Sequence, residues 1–249
     1  MTELGPLGFM GADPGWIGDA LAARGLELVG AAHVHGLADP ASAGALVTAL
    51  DCQGRLLSAL GCRDLILRDE SDWHRQTAQG VVAEAGWQVA MAMIRAAQAQ
   101  MAGYGIRLHI HPHVGTCIER EAQIDRMLAE NDVTLCFDTG HHAFWDHDVL
   151  AYMARVWDRI GFVHLKNVNV AVRARVLAGE LGVNDSFNHG VMAAQDAGAV
   201  DIAAVMQMLV QRSFDGPVIV EQDPPDDAVL TPEALAQRNL HFLLPLMEA

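Results

Sequence analysis

The sequence predicts an α/β chain built from repeated βα units with parallel strands. Three observations carry this. Short runs of β-type composition alternate with longer runs of helical spacing, polar residues gather where the β-type runs end, and no G-x-G-x-x-G or Walker pattern follows any strand. An open nucleotide-binding sheet would want a glycine-rich turn after its first strand, and Gly5-Pro6-Leu7-Gly8 is not one. Polar strand ends instead favour a TIM-type (β/α) barrel, whose chemistry sits at that end.

Seven strands are expected, at 2–5, 26–31, 64–68, 106–111, 134–138, 161–166 and 217–221. Helices are expected at 13–24, part of 42–61, 78–103, 119–131, 148–160, a weaker segment at 172–181, 201–213 and 231–244. The helix at 201 has the clearest period, because Ile202, Val205, Met206, Leu209 and Val210 fall on one stripe. The long helix before it in the same style stops at Gly103-Tyr104-Gly105, as helix C-termini commonly do. No linker, low-complexity tract or internal repeat divides the chain, so 1–249 reads as one barrel domain.

Composition narrows the partners. The 249 residues are 51% apolar and 19% charged, which excludes disordered and collagen-like chains. Sixteen Lys+Arg against 31 Asp+Glu leave a formal charge of −15. Nucleic acid and anionic membrane surfaces would repel such a chain, so neither is an expected partner. Lys166 is the sole lysine. Cys52, Cys62, Cys117 and Cys136 show no C-x-x-C pairing, and no basic-then-apolar leader opens the chain, which points to a reduced, cytoplasmic protein. The stretch 86–106 is broken by Arg95 and glutamines and does not read as a membrane span.

The densest polar feature is His109-Ile110-His111-Pro112-His113, three histidines in alternation that would share one face of a strand and its exit. Any one alone reads as a hydrogen-bonded strand-end residue; three together read as a site. The next strand ends Phe137-Asp138-Thr139-Gly140-His141, where Asp138 either faces a cation or forms an Asx-type turn capping the following helix. The strand after that gives His164-Leu165-Lys166-Asn167. A buried lysine is costly unless paired, so Lys166 either marks a site or reaches solvent through the barrel mouth. The last strand closes an apolar run with Glu221. His111, Asp138, His164 and Glu221 thus stand at the ends of four successive strands. Mixed imidazole and carboxylate donors without thiolate suit Mn²⁺, Co²⁺ or Zn²⁺, with Fe²⁺ and Mg²⁺ also compatible.

Taken together, Glu3-Leu4-Gly5-Pro6, His111-Pro112-His113-Val114-Gly115-Thr116, Asp138-Thr139-Gly140-His141, His164-Leu165-Lys166 and Val220-Glu221-Gln222-Asp223-Pro224 resemble the xylose-isomerase-like barrels of sugar isomerases and epimerases. Within that family the chain is most similar to the inosose (2-keto-myo-inositol) dehydratases. The resemblance covers nearly the whole chain. It implies His111, Asp138, His164 and Glu221 as ligands of a divalent metal, with His141 contacting substrate. Three departures stand out. The epimerases carry glutamate where this chain has His111, so only Glu221 remains of their acid–base pair, which favours one-sided proton abstraction with loss of a hydroxyl. Asn167 stands where the family usually has aspartate, which bears on the groups around His164. Aligned this way, Met1 falls just before the family's second strand, so the first βα unit is expected to be absent. The uncovered strand edges would then call for a partner subunit, a rearranged N-terminus or reduced stability, and a homo-oligomer is expected.

The expected activity is therefore metal-dependent dehydration of a cyclic polyol ketone. Glu221, or a histidine of the His111/His113 group, would take the α-proton; His141 or Lys166 would protonate the departing hydroxyl. His141, His113, Lys166 and Glu3 are the substrate-facing candidates. A sugar isomerase or epimerase would keep the metal but leave product mass unchanged, and an impaired relative would bind without turnover. An abasic-site endonuclease of the same barrel type would need a basic track that this chain lacks.

Overall fold

A computed structural model describes residues 1–71, 83–225 and 229–247. It forms two compact units, Met1–Cys136 and Phe137–Ala249, divided inside a single strand. Seven strands run in parallel ladders, as the sequence predicts.

In the first unit, β1 (Thr2–Leu4), β2 (Leu28–His35), β3 (Asp64–Asp69), β4 (Arg107–Ile110) and the start of β5 (Thr134–Asp138) pair in sequence order. Parallel neighbours need crossovers, supplied by α1 (Pro14–Ala22), α2 (Ala43–Ala59), α3 (Glu84–Ala102) and α4 (Glu121–Glu130). Asp13 caps α1 by accepting from the Gly15 and Trp16 amides, with Pro14 at the first helical position. The N-terminal part of the helix expected at 78–103 lies outside the described residues. β3 is apolar and buried through Leu65, Ile66 and Leu67, as a strand covered on both faces must be.

Two buried aspartates close the ends of β3. At its exit, Asp69 accepts from the Leu37, Ser71 and Cys117 amides at 2.9, 3.1 and 3.0 Å, tying two loops to the strand. At its start, Asp64 receives Arg107 through two contacts of 2.7 and 3.0 Å and His109 Nε2 at 2.8 Å, while His109 Nδ1 lies 2.7 Å from Thr134 Oγ1. His109 is thereby committed to the entry end of the strands and separates from the other two histidines of its run. The outer edge of β1 is flanked by exposed Phe9, Met10 and Trp16, and among the described residues β1 pairs with β2 alone.

In the second unit, β6 (Ile160–Leu165) pairs with β9 (Val218–Val220) in the register Val163 to Val218, His164 to Ile219 and Leu165 to Val220. Helices α5 (Thr139–Phe144), α6 (Val149–Arg155), α7 (Val170–Leu177), α8 (Val183–Asn188), α9 (Ile202–Gln211) and α10 (Pro232–Met247) connect and cover them. Ile202, Val205 and Leu209 are the buried stripe of α9; Val210 is exposed, so the stripe is narrower than its sequence period. A two-stranded antiparallel ladder, β7 (Asn167–Val168) with β8 (Met192–Ala193), has no counterpart in the predicted elements. The helix expected over 148–160 ends at Arg155 and continues as a single 3₁₀ turn, Trp157–Arg159. No described helix is long and apolar enough to cross a membrane.

Burial pushes the Asp64 carboxyl up, but the hydrogen bonds from His109 and Arg107 outweigh it and hold the group below the ordinary carboxylate range. Its folded value lies below its unfolded one, so this stabilisation is present above the unfolded value and disappears as pH falls through the folded one. Asp64→Asn is expected to lower unfolding free energy by about 1–3 kcal/mol at neutral pH. It should also flatten the acid limb of the stability profile, read as urea midpoints between neutral and acidic pH.

Candidate metal and substrate site

The second unit gathers five of the expected residues at the exits of its strands. Asp138 ends β5, His164 and Lys166 end β6, Glu221 follows β9, and His141 lies in the first turn and a half of α5. Each position follows from local physics. Thr139 fixes Lys166 from the neighbouring strand, accepting from its amide at 3.0 Å and donating to its carbonyl at 2.6 Å. Gly140 leaves room for the lysine stem, since a Cβ there would fall 2.7 Å from Lys166 Cγ and 3.1 Å from its backbone carbon. The Glu221 amide donates to the Leu165 carbonyl at 3.0 Å, extending the β6–β9 register by one step past the ladder.

The capping reading of Asp138 is realised by one oxygen, and the other faces the cluster. Oδ1 accepts from the His141 amide at 2.8 Å and caps α5. Oδ2 lies 3.5 Å from Lys166 Nζ, 3.9 Å from His164 Nδ1 and 4.0 Å from His141 Nε2. Lys166 is 1% exposed, so it does not reach solvent. Its ammonium stands 2.9 Å from Glu221 Oε2, 2.9 Å from Asp223 Oδ2 and 3.1 Å from His141 Nε2. His164 Nδ1 meets the same Glu221 oxygen at 2.9 Å.

The charges do not balance among these side chains. Three carboxylates, Asp138, Glu221 and Asp223, face one ammonium, which leaves a formal −2. Burial pushes the Asp138 carboxyl up; Lys166 pulls it down and Glu221 raises it further, and the result is a value of about 6. Burial alone would lower the Lys166 ammonium, but Asp138, Glu221 and Asp223 overcome it and hold the group above its ordinary value. Asp138 and Lys166 are buried, whereas the Glu221 and Asp223 side chains are 37% and 44% exposed, so the excess negative charge lies at the mouth of the cluster, where a divalent cation would neutralise it.

The donor set fits such an ion. One atom each of Asp138, His164 and Glu221 lie within 4.8 Å of one another. They offer two oxygens and an imidazole nitrogen, a hard-to-borderline set without thiolate. His141 carries its ring beside Phe187, with centroids 6.4 Å apart.

The remaining expected residues lie in the first unit. His111 is buried, with Nδ1 3.4 Å from the Cys136 carbonyl and its ring edge-on to His113 at 5.5 Å. His113 has Nε2 3.3 Å from Arg68 Nη1 and Nδ1 2.7 Å from the Val114 carbonyl. Glu3 sits on β1 opposite Gly30. Asp223, Thr139 and Gly140 were not among the site residues expected from sequence. Asp223 had a readable signal, since strand alternation continued past Glu221 would set it on the same face.

A family model described as "Xylose isomerase-like TIM barrel" matches residues 15–246. The chain belongs to that family. Among curated proteins it is 36% identical over 129 residues to an inosose dehydratase of Serratia proteamaculans, covering 49% of this chain and 43% of that protein. It is 32% identical over 145 residues to the rhizopine catabolism protein MocC of Rhizobium meliloti, covering 57% and 45%. The matches thus span less than half the length of these relatives. Among solved structures, the IOLI protein, determined with a bound zinc atom, superposes with a TM-score of 0.69 at 16% identity, over 99% of this chain and 87% of that one.

Gly140→Ala is expected to displace Lys166 and destabilise the second unit by about 1–3 kcal/mol, the cost typical of overpacking. A lowered thermal midpoint with loss of the secondary structure unchanged at ambient temperature would show it.

Proposed function

We propose that the chain carries the centre of a divalent-metal-dependent lyase that dehydrates a cyclic polyol ketone such as 2-keto-myo-inositol. The observation that carries this reading is the convergence of Asp138, Glu221 and Asp223 on the single ammonium of Lys166, with His164 completing an oxygen and nitrogen donor set. Likeness to inosose dehydratases supports the substrate class, and the zinc of the IOLI protein supports the ion.

Asp138 Oδ2, His164 Nδ1 and Glu221 Oε2 would hold the cation, and the assignment of His111 as a further ligand rests on the sequence pattern. When bound, a divalent ion polarises the ketone and acidifies the neighbouring C–H. Mn²⁺, Co²⁺ and Zn²⁺ suit these donors. Glu221 would take the α-proton on its carboxylate. The electron pair of the broken C–H bond forms the new C=C bond, and the β-hydroxyl leaves with a proton to become water. Lys166 Nζ, 3.1 Å from His141 Nε2, would supply that proton, and the carboxylates that hold it charged would have to be engaged by the cation for it to do so. Asp223 keeps the ammonium oriented. His113 and Glu3 remain substrate-facing candidates on the sequence pattern alone. The exposed Phe9, Met10 and Trp16 beside β1 support self-association.

Incubation of the metal-loaded protein with 2-keto-myo-inositol should yield a product lighter by one water, read by mass spectrometry. A product of unchanged mass would replace dehydration with isomerisation. Lys166→Met should cut turnover by about 10²–10⁴-fold, the range for loss of a positioned proton donor, while the cation still binds. His164→Ala should weaken Mn²⁺ or Zn²⁺ in calorimetric titration by more than the about 10–100-fold that loss of an outer hydrogen-bond partner costs.

A further inference from the structure

The second unit also contains a chain of buried side-chain amides that the chemistry above does not use. It begins at Asn167, whose four hydrogen-bonding positions are all filled. Nδ2 donates to the carbonyls of Gln195 and Val200, both at 3.0 Å, and Oδ1 accepts from the amides of Val168 at 2.8 Å and Val200 at 2.9 Å. Gln195 continues it. Its backbone amide donates to Asn239 Oδ1 at 2.9 Å, and its side chain donates to the Leu165 carbonyl at 2.8 Å, the same carbonyl that receives the Glu221 amide. Asn239, on α10 and 2% exposed, then donates from Nδ2 to Gln222 Oε1 at 3.1 Å.

Gln222 stands between Glu221 and Asp223. Gln222 is bonded to α10 while the side chains of its two neighbours turn to Lys166, so the three successive side chains divide between two directions. Both carboxylates meet Lys166 at 2.9 Å. The β6–β9 ladder ends at Val220, and the Glu221 amide makes its last step. Beyond that step, the grip of Asn239 on Gln222 sets the rotation of the segment about its own axis. A polar residue buried between Leu235 and Leu243 on α10 would otherwise cost stability for nothing.

We propose that Asn239 is a positioning residue for the site, acting through Gln222 to hold Glu221 and Asp223 against Lys166. Only the ion-binding part of its test rests on the proposed function.

Because Lys166 is the sole lysine, protein grown on ¹⁵N-lysine gives a single side-chain ammonium signal in NMR, which reports its carboxylate partners directly. Gln222→Met and Asn239→Leu are expected to shift that signal or lose it to solvent exchange, and to weaken Mn²⁺ binding about tenfold in calorimetry. Leu243→Ala, which removes apolar contact from the same face of α10, should lower the thermal midpoint and leave the lysine signal in place. Should Asn239→Leu fail to fold, Gln222→Met decides, since Gln222 is only partly buried. An unchanged ammonium signal in folded Gln222→Met protein, or an equal shift in Leu243→Ala, overturns the inference. If the wild-type protein binds no divalent ion, the metal reading falls, and the lysine signal still decides the role of Asn239.

Discussion

One buried ammonium organises the second unit. An unpaired lysine in such surroundings would shed its proton or pull the fold open, and the chain instead surrounds it with Asp138, Glu221 and Asp223. The arrangement draws on three separate segments: the end of β5 running into α5, the end of β6 and the exit of β9. Thr139 clamps the lysine backbone and Gly140 makes space for its stem. The same crowding that keeps Lys166 charged leaves Asp138 short of positive partners, which is why its carboxyl is raised while the lysine is held above its ordinary value. Both effects express one unbalanced charge distribution.

Much of this was legible in the sequence, because strand-end residues announce themselves by breaking an apolar alternation. Asp138, His164, Lys166 and Glu221 each interrupt such a run, and the structure places all four in one cluster. The parallel strands were legible for the same reason, as seven β-type runs separated by helical ones. Other features had no local signature. The six-residue helix α5 contains a glycine and is too short for a period to show. The β7–β8 ladder is two residues long on each side, and its strands lie far apart in sequence. His109 obeys the alternation that linked it to His111, but its partners Asp64 and Thr134 come from neighbouring strands at the entry end, and alternation along one strand says nothing about depth along it.

Asn167 shows how a departure from a family pattern can be settled by hydrogen-bond accounting. An aspartate here could accept from the Val168 and Val200 amides but could not donate to the Gln195 and Val200 carbonyls. The amide is what this loop requires, and it fastens the loop to the strand rather than reaching His164. Asn239 is the subtler case. It falls four residues from Leu235 and four from Leu243, a polar residue on an apolar stripe. That misfit is visible in the sequence, though its partners Gln195 and Gln222 are not.

The two oxygens of Asp138 tie a folding requirement to a chemical one. Because the carboxylate that starts α5 also faces the cluster, the helix cannot unravel at its first turn without carrying a candidate ligand away, and the ligand cannot be repositioned without recutting the helix. Evolutionary drift at this position is therefore narrowed from both sides at once. A longer acid would reach farther into the cluster but lose the short loop back to the His141 amide, so side-chain length, more than charge, is what the backbone selects here.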